Sequence, residues 1–177
     1  MSTFTIRVST SASNPAGTAY GEQPDLLTPS YFDLVVSNST DPKLANGVYD
    51  AYCLNPVAFI SVTRNYTAQN YAGDTAASFV PLGLSSVTQV QVDQLNWLLA
   101  QNFTSDPKFN GKYIDGEVQV AIWKILGFTD AQIFNNTDPR LLNENGRAAF
   151  TIADSNEIVD AARAAVASGN RLVPTDT

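Results

Sequence analysis

Two residues of this chain, Cys53 and Gln119, could together carry covalent chemistry. Cys53 is the sole cysteine and lies in the predicted strand YDAYCLN, with its thiol on the opposite face from Tyr52 and Leu54. Gln119 lies in DGEVQVAIWKILG (115–127), a predicted helix. A thiolate next to a desolvated carboxamide can attack its carbon and expel ammonia, which leaves an internal thioester. An incoming amine can then capture the acyl group as a stable amide, because proximity lowers much of the barrier.

The position of Gln119 within its helix is what makes it unusual. At about 100° per residue, its side chain projects between Leu126 and Trp123 and thus within the apolar face. Glu117 and Lys124 are predicted to project to the opposite side. A buried amide without a hydrogen bond costs about 1–3 kcal/mol, so the amide of Gln119 needs a partner.

The composition excludes several kinds of site. The chain of 177 residues has no histidine and one cysteine, which removes the commonest general base, the usual zinc ligands and any internal disulfide. Its net charge of −7 argues against nucleic-acid or anionic-membrane partners, which reward basic patches. No apolar run approaches the length of a membrane span, so membrane insertion is not expected. We also expect no cofactor and no metal.

The patterns predict strands first and helices second, which is typical of an α+β fold. Residues 1–84 are predicted to be β-rich and 85–170 helical, within a single domain of 1–177 whose last residues, 171–177, form a linker to another domain. Strands are predicted at TFTIRV, YFDLVV (31–36), GVYDAYCLN (47–55) and FISVTRNY (59–66), with a possible late strand at 148–152.

Helix signals are clearest in three segments of the second half. Apolar residues recur at helical spacing after Thr88 or Ser86, either of which could be the N-cap. A helix over 116–126 is predicted to be capped by Asp115 and ended by Gly127, and a last helix over 155–168 to be ended by Gly169. A short helix is possible within 129–145. These caps and stops follow ordinary residue preferences at helix ends.

The motifs around the two candidate residues resemble those of the thioester domains of bacterial surface adhesins. Those domains carry an aromatic or apolar residue, Cys and an apolar residue in a strand, as in YCL (52–54) here. A later helix carries Gln-x-Ala-apolar-Trp, as in QVAIW (119–123) here, although Val118 stands where the family often has Thr. The segment LNWLLAQN (95–102) is similar to the helix between them, and the resemblance covers roughly residues 30–128.

The resemblance implies a β-sandwich or barrel lobe with a helical lobe, and a thioester between Cys53 and Gln119. It implies an extracellular module at the cell surface, excised from a multidomain protein whose signal and anchor are not in this chain. The module would bind an amine-bearing ligand, such as a protein lysine or a polyamine, once and covalently, so it would not be an enzyme. Residues predicted to support the site are Tyr52, Trp123, Asp115 and Glu117.

A plainer interpretation remains open. Cys53 could be a small buried core residue, and the amide of Gln119 could bind the backbone at the end of a neighbouring strand. The chain would then be a non-covalent glycan- or protein-binding adhesin domain. Two other chemistries have weaker support: the lysines lie in polar loops or on the solvent side of a helix, which disfavours a Lys–Asn isopeptide bond, and no loop has the ligand spacing of a calcium motif.

Overall fold

The computed structural model describes residues 3–9, 31–56, 65–69, 73–104, 106–113, 115–134 and 152–171. The strands are β1 (Thr3–Ser9), β2 (Tyr31–Ser37), β3 (Gly47–Tyr52) and β4 (Tyr66–Gln69). The α-helices are α1 (Gln89–Ala100), α2 (Asp115–Ile125), α3 (Asp130–Phe134) and α4 (Ile152–Ala167). Two 3-10 helices, Ala76–Leu82 and Pro107–Phe109, lie between them. The predicted α+β class, strands together with helices, is thereby confirmed.

The described strands form one four-stranded antiparallel sheet in the order β3-β2-β1-β4. The register pairs Thr5 with Ser37 and Tyr31 with Tyr52, which brings the end of β3 beside the start of β2. The first two strands match their predicted positions, whereas β3 begins at the predicted Gly47 but ends three residues before the predicted Asn55. Most of the predicted strand 59–66 lies outside the described residues, and β4 begins at Tyr66, the last residue of that prediction. Residues 148–151 of the predicted late strand also lie outside the described residues. A sandwich or barrel needs further strands beyond this single sheet, so that part of the fold stays a prediction.

The helices form where the sequence indicates, and their ends follow local chemistry. Thr88 is the N-cap of α1, and its hydroxyl accepts from the N–H of Gln91 in a capping box. Gly127 and Gly169 follow α2 and α4 with positive φ of 94° and 85°, a conformation that glycine adopts without steric cost. Asp115 is the first helical residue of α2 rather than its cap, and α4 begins three residues before the predicted start.

Helix α2 lies at the centre of the helical part, in contact with α1, α3, α4 and β2. Its residues enter two core clusters. The larger cluster joins one side of α2, including Val118 and Ile122, to residues of α1 and α4. The smaller cluster consists of Val120, Trp123 and Ile133, with Cys53 packed against it. A helix that meets neighbours on several sides is buried all round, which explains why α2 has so little exposed surface.

One prediction about α2 was wrong. Glu117 was expected on the solvent side, but it is 2% exposed. Lys124, predicted to point the same way, keeps partial exposure and pairs with Asp130 at 2.9 Å and with the side chain of Asn156 at 2.9 Å. The helical period correctly separates the two flanks of the helix, but burial depends on the elements that pack against each flank.

Candidate functional site

The side-chain amide of Gln119 binds the backbone of Cys53 at two points. The N–H of Cys53 donates to Oε1 of Gln119 at 2.7 Å, and Nε2 of Gln119 donates to the carbonyl oxygen of Cys53 at 2.7 Å. The two residues are 66 positions apart in the chain. Gln119 is fully buried, with 0% of its surface exposed, so these bonds meet the requirement that a buried amide be paired.

The same contact follows directly after the end of β3. Cys53 was predicted to lie within the strand, but β3 stops at Tyr52. Beyond Tyr52 the N–H and C=O of Cys53 pair with the amide of Gln119, which presents one donor and one acceptor in the way a neighbouring strand would. The helix therefore supplies a single side chain that continues the hydrogen bonding of the sheet by one residue.

The residues on either side of Cys53 point away from it, as strand alternation predicts. Tyr52 and Leu54 pack against the larger cluster, whereas Cys53 packs against the smaller one. The thiol of Cys53 donates to the carbonyl oxygen of Asn55 at 3.2 Å. Burial raises the pKa of this thiol, and a backbone hydrogen bond with Asn55 lowers it to a lesser extent. The thiol is therefore protonated at neutral pH.

The amide carbon of Gln119 is consequently held close to Cys53. Cδ is one bond from Oε1, so it lies within about 4 Å of the backbone nitrogen of Cys53. The N–H that binds Oε1 also polarises the C=O bond and points at the oxygen on which charge would develop during attack at Cδ. The arrangement therefore holds an electrophilic carbon and an oriented donor beside the backbone of the residue that carries the thiol.

The four predicted supporting residues have different surroundings. Tyr52 precedes Cys53 and packs against the larger cluster. Trp123, one helical turn after Gln119, is 2% exposed, and within the described part of the chain its indole Nε1 has no hydrogen-bond partner. Glu117 is buried two residues before Gln119. Asp115 begins α2, and its side chain lies outside the described part.

Sequence reasoning missed one member of the site, the backbone carbonyl of Asn55 that accepts from the thiol. A weak signal existed: Pro56 is the next residue, and a residue before proline is restricted to extended conformations. That restriction does not reveal which atom the carbonyl would meet, because the contact depends on the turn after β3.

Other kinds of site have no counterpart in the described ranges. No group of three or more Cys, Asp or Glu side chains there is arranged to hold a metal ion. None of the helices described is both long and apolar enough to cross a membrane.

Comparisons with known proteins gave no match: no family model, no curated protein and no solved structure is similar to this chain. The function of the chain must therefore be inferred from the geometry of the Cys53–Gln119 contact.

Proposed function

We propose that this chain is a covalent adhesion module that forms an internal thioester between Cys53 and Gln119. The observation that carries the proposal is the pair of 2.7 Å hydrogen bonds between the buried amide of Gln119 and the backbone of the cysteine. The proposal also includes the fold: a thioester-domain-like arrangement with a sandwich or barrel lobe next to the helical lobe.

The first step joins the two side chains. Sγ of Cys53 attacks Cδ of Gln119, the C–N bond breaks, and the thiol proton leaves with the nitrogen as ammonia. Each molecule thereby loses one ammonia and gains one C–S bond. Because the thiol is protonated at neutral pH, its proton must move as the bond forms. Glu117 and Asp115 precede Gln119 on α2 by two and four residues, and they are our candidates for relaying it.

Packing and dipoles then protect and activate the acyl group. The N–H of Cys53 remains bound to the acyl oxygen and stabilises negative charge on it. The apolar side chains of the smaller core cluster limit the access of water. Trp123, one helical turn after Gln119, adds a buried indole N–H that has no partner among the described residues.

In the second step a primary amine attacks Cδ, and the C–S bond breaks. The proton that the amine loses goes to the departing sulfur, which regenerates the thiol of Cys53. The product amide is stable and nothing restores the thioester, so each molecule reacts once. Suitable amines are a protein lysine or a polyamine on another surface, and the module would act as part of a larger cell-surface protein.

The intact mass of the wild-type chain tests this proposal directly. We expect it to be one ammonia lighter than the sequence, and treatment with methylamine should add one methylamine at Gln119. Cys53→Ala should have the full sequence mass and take up no amine. Cysteine alkylation should label the protein only after methylamine treatment, because the thiol is blocked before it.

The alternative function is a non-covalent binding domain. It is favoured by one observation, that the backbone of Cys53 already pairs both polar atoms of the Gln119 amide and could simply fix the end of β3. A wild-type chain with full sequence mass, an alkylatable Cys53 and no uptake of methylamine would leave only this alternative.

A further inference from the structure

The carbonyl oxygen of Cys53 changes its bonding when the proposed thioester forms. In the amide form it accepts from Nε2 of Gln119 at 2.7 Å. That nitrogen is the leaving group of the first step, so the carbonyl loses this donor when ammonia departs. The other hydrogen bond, from the N–H of Cys53 to Oε1, can persist because the oxygen stays on the acyl group. The carbonyl oxygen of Cys53 then lies beside the thioester as an acceptor whose former donor, the N–H group of Gln119, has left.

We propose that the carbonyl oxygen of Cys53 binds an N–H group of the attacking amine and makes the site selective for primary amines over secondary amines. The inference rests on the proposed thioester and names the substrate class that it would take. The selecting group is a backbone atom of Cys53 rather than a side chain.

The path of the nucleophile leads to this carbonyl. Ammonia leaves from the position that is bonded to the Cys53 carbonyl, and attack by ammonia must retrace that path. A primary amine has the same reacting nitrogen and can occupy the same position. Gln119 is fully buried while Cys53 is partly exposed, which also favours an approach past Cys53.

The number of hydrogens on nitrogen then separates the two classes of amine. After a primary amine has attacked, its nitrogen carries two hydrogens. One can stay on the carbonyl oxygen of Cys53 while the other is transferred to the departing sulfur. A secondary amine has a single hydrogen at that stage, and its transfer to sulfur leaves the carbonyl facing an alkyl group. Only the primary amine keeps this part-buried carbonyl paired, so its transition state is stabilised relative to that of the secondary amine.

Three amines test the selectivity on the wild-type chain. Ethylamine and dimethylamine have the same atomic composition but differ in the number of hydrogens on nitrogen. Azetidine is a secondary amine whose four-membered ring holds its carbon atoms back from the nitrogen, so it is less bulky there. The rates of adduct formation are followed by intact mass. The same amines react in the same buffer with a small-molecule thioester, and this control corrects for basicity and intrinsic reactivity.

We expect the ethylamine-to-dimethylamine rate ratio on the protein to exceed that on the small thioester by about tenfold or more, the size expected for an unpaired, part-buried acceptor. Azetidine should be disfavoured to a similar extent. Equal ratios on the protein and the small thioester would overturn the inference, and so would an azetidine that reacts as readily as ethylamine, since bulk would then explain the selectivity. If none of the amines adds to the protein, the proposed thioester itself fails.

Discussion

Two glutamines bridge α2 to other parts of the chain, and they do so in similar ways. Gln119 pairs both polar atoms of its amide with the backbone of Cys53. Gln91 of α1 donates from Nε2 to the carbonyl oxygen of Ile125 at 2.7 Å, and its Oε1 accepts from the N–H and the hydroxyl of Thr88, both at 2.8 Å. Each amide thus satisfies backbone groups at an element end.

The two bridges differ in burial and in the chemistry of the partner. Gln119 is fully buried and its partner carries a thiol, whereas Gln91 lies at the exposed start of α1 and its partner Thr88 carries a hydroxyl. A glutamine amide can therefore pair with backbone groups for a structural reason alone. The proposed reactivity would require a thiol and an apolar surround in addition, and the Gln91 bridge provides matched controls for that proposal.

The largest expected difference is in covalent reactivity. Gln119→Glu should have the mass of its sequence and take up no methylamine, because a carboxylate has no ammonia to lose. Gln91→Glu should lose one ammonia and add one methylamine as the wild type does. Intact mass before and after methylamine measures both. If Gln119→Glu also gains methylamine, the acyl group lies elsewhere.

The next largest difference is in stability, best measured in a Cys53→Ala background so that no cross-link contributes. Gln119→Ala should lower the free energy of unfolding by about 3–5 kcal/mol, because it leaves a cavity and two buried backbone groups unpaired. Gln91→Ala should cost less, about 1–2 kcal/mol, because Thr88 is exposed to water and only the Ile125 carbonyl loses its partner in a part-buried contact. Urea unfolding gives both values. Equal losses would mean that the Gln119 contact is not more deeply buried in solution.

A smaller effect concerns the pH dependence of the thiol in the methylamine-treated protein, where Cys53 is free. Burial raises the pKa of this thiol above its ordinary value of 9.0, so the rate of iodoacetamide alkylation should reach half its maximum above that pH. The unfolded chain releases the thiol proton at a lower pH than the folded chain does. The free energy of unfolding is therefore unaffected below about pH 9 and falls as the pH rises through the folded-state pKa. A midpoint below 9.0 would indicate an activated thiol instead.

The smallest expected effect comes from moving the thiol to the other bridge. Thr88→Cys in the Cys53→Ala background puts a thiol beside the amide of Gln91. That amide accepts from the backbone N–H of residue 88, as the amide of Gln119 accepts from the N–H of Cys53. We expect no loss of ammonia, because Thr88 is exposed and water solvates both groups there. Intact mass checks this, with Cys53→Ala as the control. A mass lower by one ammonia would show that proximity suffices without burial.

Much of the candidate site could be predicted from local sequence. Alternation in YCL directs the thiol away from Tyr52 and Leu54, and helical spacing puts Gln119 within an apolar face; the structure has both features. Helix ends at Thr88 and Gly127 were predictable for the same reason, since capping and positive φ depend on neighbouring residues. These properties follow from the period of an element and the chemistry of its ends.

The partners of those residues depend on tertiary structure alone. The alternation of β3 predicts a strand through Asn55, but the strand ends at Tyr52, and the next residue, Cys53, pairs its backbone with a side chain 66 positions away. The buried position of Glu117 likewise results from the elements packed around α2. Local periodicity, read from the sequence, was enough to direct Cys53 and Gln119 inward, but it put Glu117 on the wrong side. Only the tertiary structure decided which atoms they meet, because hydrogen bonds between distant segments depend on how the sheet and helices pack together.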